Sequence, residues 1–473
     1  LDISMKDGNN KEVHGEGGIG YIASRLTVEG PIKKDKSSFI ISGRRTFIDL
    51  FLREPFIPSN SRIAGNSYYF FDLNSKINYT ISNKDRLYLS SYLGKDIFNF
   101  RSPQTGFKVK IPWGNATASL RWNHLFNERL FANVTTLFSR YDYKLQFGND
   151  YQNRFNWNSS ISNFIFKPDF TWFVNAVNEV SFGGEIINYS FEPANAVGIT
   201  NGTSVDISLP RKYNMETSLF AGNSQKISPV LSLEYGIRYS QFRYLGPGES
   251  YTFNDTIPGK RRRLTSVTPF EKGKTIQQYG NLQPRFSFKW QVYPTASIKG
   301  SYNRMVQYLH LISNTTASNP LDVWTPSTKN IKPELADQFT LGWFKDLDED
   351  KNWELSVEGY FRKTQNQVDY IDGADLLINK LIEGDLLTGK GRAYGMEFYL
   401  QKKTGRLNGW LSYTLGRTEL NINGINSGKW YAARYDQTHN LKVSGFYEIN
   451  KRWSASANFV FTSGTPVTFP TSR

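Results

Sequence analysis

The feature that most constrains this chain is a hydrophobic period of two that returns segment after segment, with no long apolar run anywhere. From Tyr394 every second residue is apolar, Tyr394, Met396, Phe398 and Leu400, with Gly395, Glu397, Tyr399 and Gln401 between them. After the polar turn 403–408 the pattern restarts, with Leu411, Tyr413 and Leu415 set against Ser412, Thr414 and Gly416. It returns at Leu441, Val443 and Tyr447, and again at Trp453, Ala455, Ala457, Phe459 and Phe461 after the turn 450–452. A period of two puts alternate side chains on opposite faces of a strand, one dry and one wet. Here the dry faces end in aromatics near the turns, while the wet faces carry Ser, Thr, Asn, Glu and Lys. That is the pattern of an all-β, transmembrane antiparallel β-barrel: apolar towards lipid, polar towards a wet lumen, aromatic at both interfaces. An unpaired sheet edge in lipid is too costly to persist, so the sheet is expected to close.

Composition agrees with this reading and removes others. Hydrophobic residues make up only 39% of the 473, yet aromatics reach 15%. No apolar run approaches the roughly 18 residues that a membrane helix requires, which excludes a helical membrane protein. The absence of cysteine excludes a disulfide framework and a thiolate metal site. The net charge of +15 is spread through turns, as expected of solvated barrel rims; an anionic ligand or anionic lipid head groups are the sharper readings. Nucleic acid is not expected as a partner, because the basic residues form no stripe.

Along the chain, pairs of strands joined by short polar turns alternate with long connections. The turns fall near 33–36, 82–85, 127–129, 175–178, 228–229, 293–295, 346–352, 403–408 and 450–452. The long connections lie near 48–66, 98–113, 193–210, 246–277, 310–333, 369–389 and 422–436. Short turns on one side and long loops on the other are how outer-membrane barrels are built. The pattern predicts about nineteen strands, with boundaries good to roughly two to four residues. Bacterial single-chain barrels have an even number, so the chain is expected to be incomplete at its C-terminal end. Leu1 enters mid-pattern, with no initiator Met and no secretory leader, as in an internal piece of a longer chain. Residues 1–10 are expected to be the last strand of a preceding plug domain, and residues 11–473 the barrel. The Gly15-x-Gly17-x-x-Gly20 spacing lacks the strand-then-helix setting of a dinucleotide site; it reads as small residues that let something pack against the inner wall.

Several stretches carry a family resemblance. They are Met5-Lys-Asp-Gly-Asn-Asn-Lys-Glu-Val-His-Gly-Glu-Gly-Gly-Ile-Gly20, Leu26-Thr-Val-Glu-Gly-Pro-Ile32 and Ser42-Gly-Arg-Arg-Thr46. Further on come Trp324-Thr-Pro-Ser-Thr-Lys-Asn-Ile-Lys-Pro-Glu334, Gly391-Arg-Ala-Tyr-Gly395, Tyr435-Asp-Gln-Thr-His-Asn-Leu441 and Thr462-Ser-Gly-Thr-Pro-Val-Thr468. Together they resemble the TonB-dependent outer-membrane receptors of the Bacteroidetes type. The group most resembled carries a carboxypeptidase-regulatory-like domain and is a cousin of the starch-utilisation transporters. The resemblance implies a barrel of about 22 strands filled by an N-terminal plug. It implies import of a scarce ligand (glycan, peptide, siderophore or vitamin) across the outer membrane of a Gram-negative bacterium. The implied partners are outer-membrane lipid, the TonB–ExbB–ExbD complex acting through the N-terminal region, and a surface lipoprotein lid. The alternative is a non-transporting barrel subunit of a surface, secretion or outer-membrane biogenesis assembly. A passive porin would lack a plug, and the plug-like segment Leu1–Lys6 argues against it.

No catalytic constellation stands out. His14, His124, His310 and His439 show no metal-ligand spacing, and no cofactor is expected. Asp346-Leu-Asp-Glu-Asp350 lacks the Gly and terminal Glu of a calcium loop and reads as a periplasmic turn. Glu234, Glu354, Glu358 and Glu397 show no spacing that suggests a catalytic pair. The candidates for ligand contact are Trp324, Trp430 and Tyr431, with Arg434 close by. Flat aromatic faces stack on sugars or rings, and a guanidinium grips carboxylate or phosphate.

Overall fold

The computed structural model describes residues 5–52, 56–58, 61, 63–102, 105–149, 153–254, 257–312, 323–376 and 378–467. Twenty-one strands form one antiparallel sheet. Setting aside the two short strands Thr203–Asp206 and Tyr431–Ala432 leaves nineteen that span, the expected number. Each spanning strand pairs with the next in the chain, as in Trp353–Tyr370 with Leu386–Lys402 and Leu386–Lys402 with Leu407–Ile422. Far sides of the first and last strands, His14–Ile19 and Trp453–Thr462, have no ladder partner among the described residues.

The two faces sort as the alternation requires. Leu219 is 70% exposed on the outside, whereas its neighbour Ser218 is 4% exposed on the inside. The sheet curves round into a barrel, and contacts across the mouth show it. Ile378, from the connection after Trp353–Tyr370, packs with Trp157 of Arg154–Asn175, many strands away in the sheet. Inside the wall, the segment 5–13 lies along the strands Ala23–Lys33, Ser37–Thr46 and Ser67–Thr80. Lys76 Nζ reaches the Met5 carbonyl oxygen at 2.8 Å and Asp7 at 2.5 Å, and Ser38 Oγ donates to the Gly8 carbonyl oxygen at 2.7 Å. Gly8 sits so close to the Phe39 carbonyl that a Cβ would fall 2.1 Å from its oxygen. Of the segment expected as a plug strand, residues 1–4 lie outside the described residues, and Met5 and Lys6 carry no strand.

Three expectations need correction. The strands Lys108–Asn127 and Asn178–Thr200 run further outward than the alternation suggested. Above the lipid both faces meet water or loops, so a ladder continues there without amphipathic patterning. The long connections also hold structure of their own: Gly248–Asn254 pairs with Arg263–Phe270, and Leu309–Ile312 with Val323–Pro326. Finally, Gly15 and Gly17 do not face the inner wall. Their register partners are Val28 and Leu26, both exposed on the outer face.

Candidate ligand site at the barrel mouth

Above the barrel, three connections fold onto one another. Arg261 grips Asp385 with two parallel hydrogen bonds, Nε to Oδ1 at 2.6 Å and Nη2 to Oδ2 at 2.9 Å. Arg262 donates to the Glu383 carbonyl oxygen. Asn330 Nδ2 donates to the Glu383 carboxylate at 2.6 Å and to the Tyr251 carbonyl oxygen at 2.9 Å. Glu249 accepts from the Tyr251 hydroxyl at 2.7 Å and pairs with Lys380 at 2.9 Å, and these contacts hold its carboxyl below the usual carboxylate range. Beneath this polar layer Ile312, Ile331, Leu376, Ile382 and Leu386 form a small apolar core. The polar inside of a wide barrel offers no core for loops to join, so these loops build one among themselves.

Under the interlocked loops lies a cavity of about 360 Å³, lined by His310, Glu334, Arg362, Gln367, Thr418 and Tyr435 among others. Arg362 projects inward from Trp353–Tyr370, opposite Gln338 in the ladder. Its Nε is buried and has no hydrogen-bond partner. The Nε has no open surface, so Arg362 meets the cavity through its other atoms. His310 is only 3% exposed and shares a 3.0 Å hydrogen bond between Nε2 and Ser327 Oγ. Burial pushes its imidazolium down from 6.5 to about 4, so the ring is neutral at pH 7. The cavity therefore presents a cation, a carboxylate, a phenol and a neutral imidazole. These groups suit the binding of a polar ligand with an anionic part, not bond breaking. Among the described residues no group of three or more His, Cys, Asp or Glu is arranged to hold a metal ion.

The four residues expected to contact ligand occupy three places. Tyr431 and Arg434 meet on Asp369: the Tyr431 hydroxyl donates to Oδ2 at 3.0 Å and Arg434 Nη2 to Oδ1 at 2.9 Å. Burial, then the Asp369 charge, raises the Tyr431 phenol above its ordinary range. Arg434 also lies 4.5 Å over the Tyr370 ring. Trp430 stands apart, with the Arg392 guanidinium 4.3 Å over its ring. Trp324 lines a narrow gap of about 40 Å³ between loops, with Trp157 and Tyr251.

Sequence reasoning missed the Arg362 cavity. Alternation alone puts Arg362 on the wet face at the outer end of a strand; nothing local shows that Glu334, His310 and Tyr435 converge on it. It also missed that Glu358 and Glu397 are direct ladder partners on the inner wall, because their separation in the chain has no local signature.

Residues 52–471 match the family model described as "TonB dependent receptor-like, beta-barrel". No curated protein matches the sequence. Several solved structures share the fold. The copper transporter OprC matches with a TM-score of 0.67 at 10% identity, over 96% of this chain and 69% of that one. The ferric yersiniabactin uptake receptor FyuA from Yersinia pestis matches with a TM-score of 0.65 at 10% identity, over 96% and 69%. A double mutant of the Serratia marcescens hemophore receptor HasR, in complex with its hemophore HasA and heme, matches with a TM-score of 0.60 at 14% identity, over 97% and 74%. At such identities the likeness is one of fold.

Proposed function

The chain belongs to the TonB-dependent receptor β-barrel family, the outer-membrane transporters of Gram-negative bacteria, and from that premise we propose that it takes up a scarce ligand carrying an anionic group. The observation that carries this reading is the Arg362 side chain in the lining of the cavity under the loops, beside Glu334, His310 and Tyr435. Tyr431 and Arg434, joined on Asp369, and Trp324 between the loops act in this reading as further contacts on the ligand's way in. Trp430 flanks them from the outer side. Glycan, peptide, siderophore and vitamin all have members with a carboxylate, phosphate or catecholate that suits a guanidinium.

The motifs quoted above support a finer assignment, to the Bacteroidetes-type group with a carboxypeptidase-regulatory-like domain, cousins of the starch-utilisation transporters. In that reading residues 1–10 end a plug, supported by the course of residues 5–13 along the inner wall. Energy comes from TonB–ExbB–ExbD, and a surface lipoprotein closes over the mouth.

The test uses the full-length protein in detergent, titrated with a ferric siderophore, an acidic oligosaccharide, a short peptide and a corrinoid. One probe should bind, and Arg362→Ala should weaken it about a hundredfold, the worth of a charge-assisted contact. Cells lacking TonB should bind that probe without accumulating it. Binding that is indifferent to Arg362 would overturn the site. Accumulation that is indifferent to TonB would overturn the transport reading, and binding with no accumulation in any cell would favour a non-transporting barrel.

A further inference from the structure

The outer surface of five neighbouring strands, Ala296–Gln307, Glu334–Asp346, Trp353–Tyr370, Leu386–Lys402 and Leu407–Ile422, is ordered in horizontal rows by the ladder register. The uppermost row is charged: Arg304, Asp337, Lys363, Arg392, Glu419. Two residues lower runs a row of four aromatics, Tyr302, Phe339, Phe361 and Tyr394, which ends in Arg417 on the fifth strand. Below that come Leu341, Gly359, Met396 and Leu415. The step from charge through aromatics to aliphatics marks the outer boundary of the lipid.

Gly359 breaks the apolar surface. Its φ is not positive, and a Cβ there would meet nothing nearer than the Leu341 carbonyl oxygen at 3.9 Å. Neither the backbone nor the packing demands glycine, so what its missing side chain supplies is room on the outside. Gly300 lies in the same row, but the Phe288 ring already covers it. At Gly359 the room stays open and joins a groove of about 1,110 Å³ walled by Phe339, Leu341, Trp343, Phe361 and Met396.

Directly above, the charges do not balance. Asp337 is held by Arg304 at 2.8 and 3.0 Å and by the Tyr302 hydroxyl at 2.8 Å. Glu419 is held by Arg392 at 2.8 Å and lies 3.8 Å from Arg417. Lys363 is exposed and makes no hydrogen bond or ion pair among the described residues; across the ladder it faces Asp337, already held by Arg304 and Tyr302, on one side and Arg392 on the other. Like charges in that relation repel, and an anion between them would turn the repulsion into attraction.

We propose that this face binds one phosphorylated lipid of the outer leaflet, an acyl chain lying in the groove at Gly359 and the phosphate between Lys363 and Arg392. An apolar groove on the lipid side with one unpaired cation, Lys363, beside the Arg392–Glu419 pair at its upper end matches a molecule with that division of chemistry. The site is on the outer face of the barrel wall.

The test is native mass spectrometry of the full-length protein, using lipid A as the probe and the same lipid after phosphatase treatment. One lipid should remain bound per barrel, with about tenfold weaker retention of the dephosphorylated form. Lys363→Gln and Gly359→Leu should each lower retention of the phosphorylated form by a similar factor, and Lys363→Arg should keep it. Heat-modifiable migration on gels checks that each variant is folded. Equal retention of the two lipid forms by the unaltered protein would overturn the proposal, as would undiminished retention by folded Lys363→Gln and Gly359→Leu.

Discussion

Arg261 and Asp385 are 124 residues apart in the chain and are joined by two hydrogen bonds of 2.6 and 2.9 Å that clamp one extracellular connection onto another. Asp385 is 1% exposed, and without the guanidinium it keeps one other side-chain donor among the described residues, Asn379 Nδ2 at 3.1 Å. Arg261→Ala should loosen the loop cluster by about 2 kcal/mol, less than for a dry pair because Arg261 is largely exposed. Faster hydrogen exchange across residues 381–386, with the barrel strands unchanged, is the expected signature. Adding Asp385→Asn should recover part of the loss, since the unpaired charge is then gone.

His310 makes the same cluster sensitive to acid. Its folded pKa, about 4, lies below the ordinary 6.5, so the unfolded loop takes up a proton first as pH falls. The stability is therefore complete above pH 6.5, declines between 6.5 and 4, and is constant below that, for a total of roughly 3 kcal/mol. Protection of Leu309–Ile312 and Val323–Pro326, taken as exchange relative to an unstructured amide at the same pH, should fall between pH 7 and pH 5. His310→Gln should flatten that dependence.

Gly395 is needed where it stands. A Cβ there would fall 2.5 Å from the Leu415 carbonyl oxygen and 2.8 Å from the Tyr360 hydroxyl, which lies across it on the inner wall. Gly395→Val should destabilise the barrel by about 1–3 kcal/mol through overpacking. The temperature at which gel mobility changes from folded to unfolded should drop accordingly.

The two faces of one strand should answer oppositely to the same substitution. Leu219→Arg sets a charge in lipid and should cost about 2–4 kcal/mol if it lies near the midplane. Ser224→Arg, on the same strand but turned inward opposite Glu234, should leave the barrel folded. Yields of heat-modifiable protein after refolding into lipid vesicles distinguish the two.

The strands were legible because alternation is local. Tyr394, Met396 and Phe398 declare a shared face by spacing alone, and the partner strand need not be known. Where the lipid ends, that signal ends too. The outer reach of Lys108–Asn127 and the hairpin Gly248–Asn254 with Arg263–Phe270 therefore look like bare loop in the sequence. Of the four residues proposed from sequence for ligand contact, Tyr431 and Arg434 do meet, on Asp369, because three positions separate them. Trp324 lies elsewhere, in a different connection.

The sequence by itself determined the class of fold, the number of spanning strands and, where apolar and polar residues alternate clearly, which of them face lipid or lumen, since an alternating chain in a bilayer has one way to satisfy its backbone; the glycine-rich strand His14–Ile19 carries no such alternation. Only the tertiary structure decided which residues from different strands meet. Ladder register set Lys363 against Arg392 and Glu358 against Glu397, and loop docking brought Glu334, His310 and Tyr435 around Arg362. Register and docking are settled by contacts between distant parts of the chain, and no local pattern carries them.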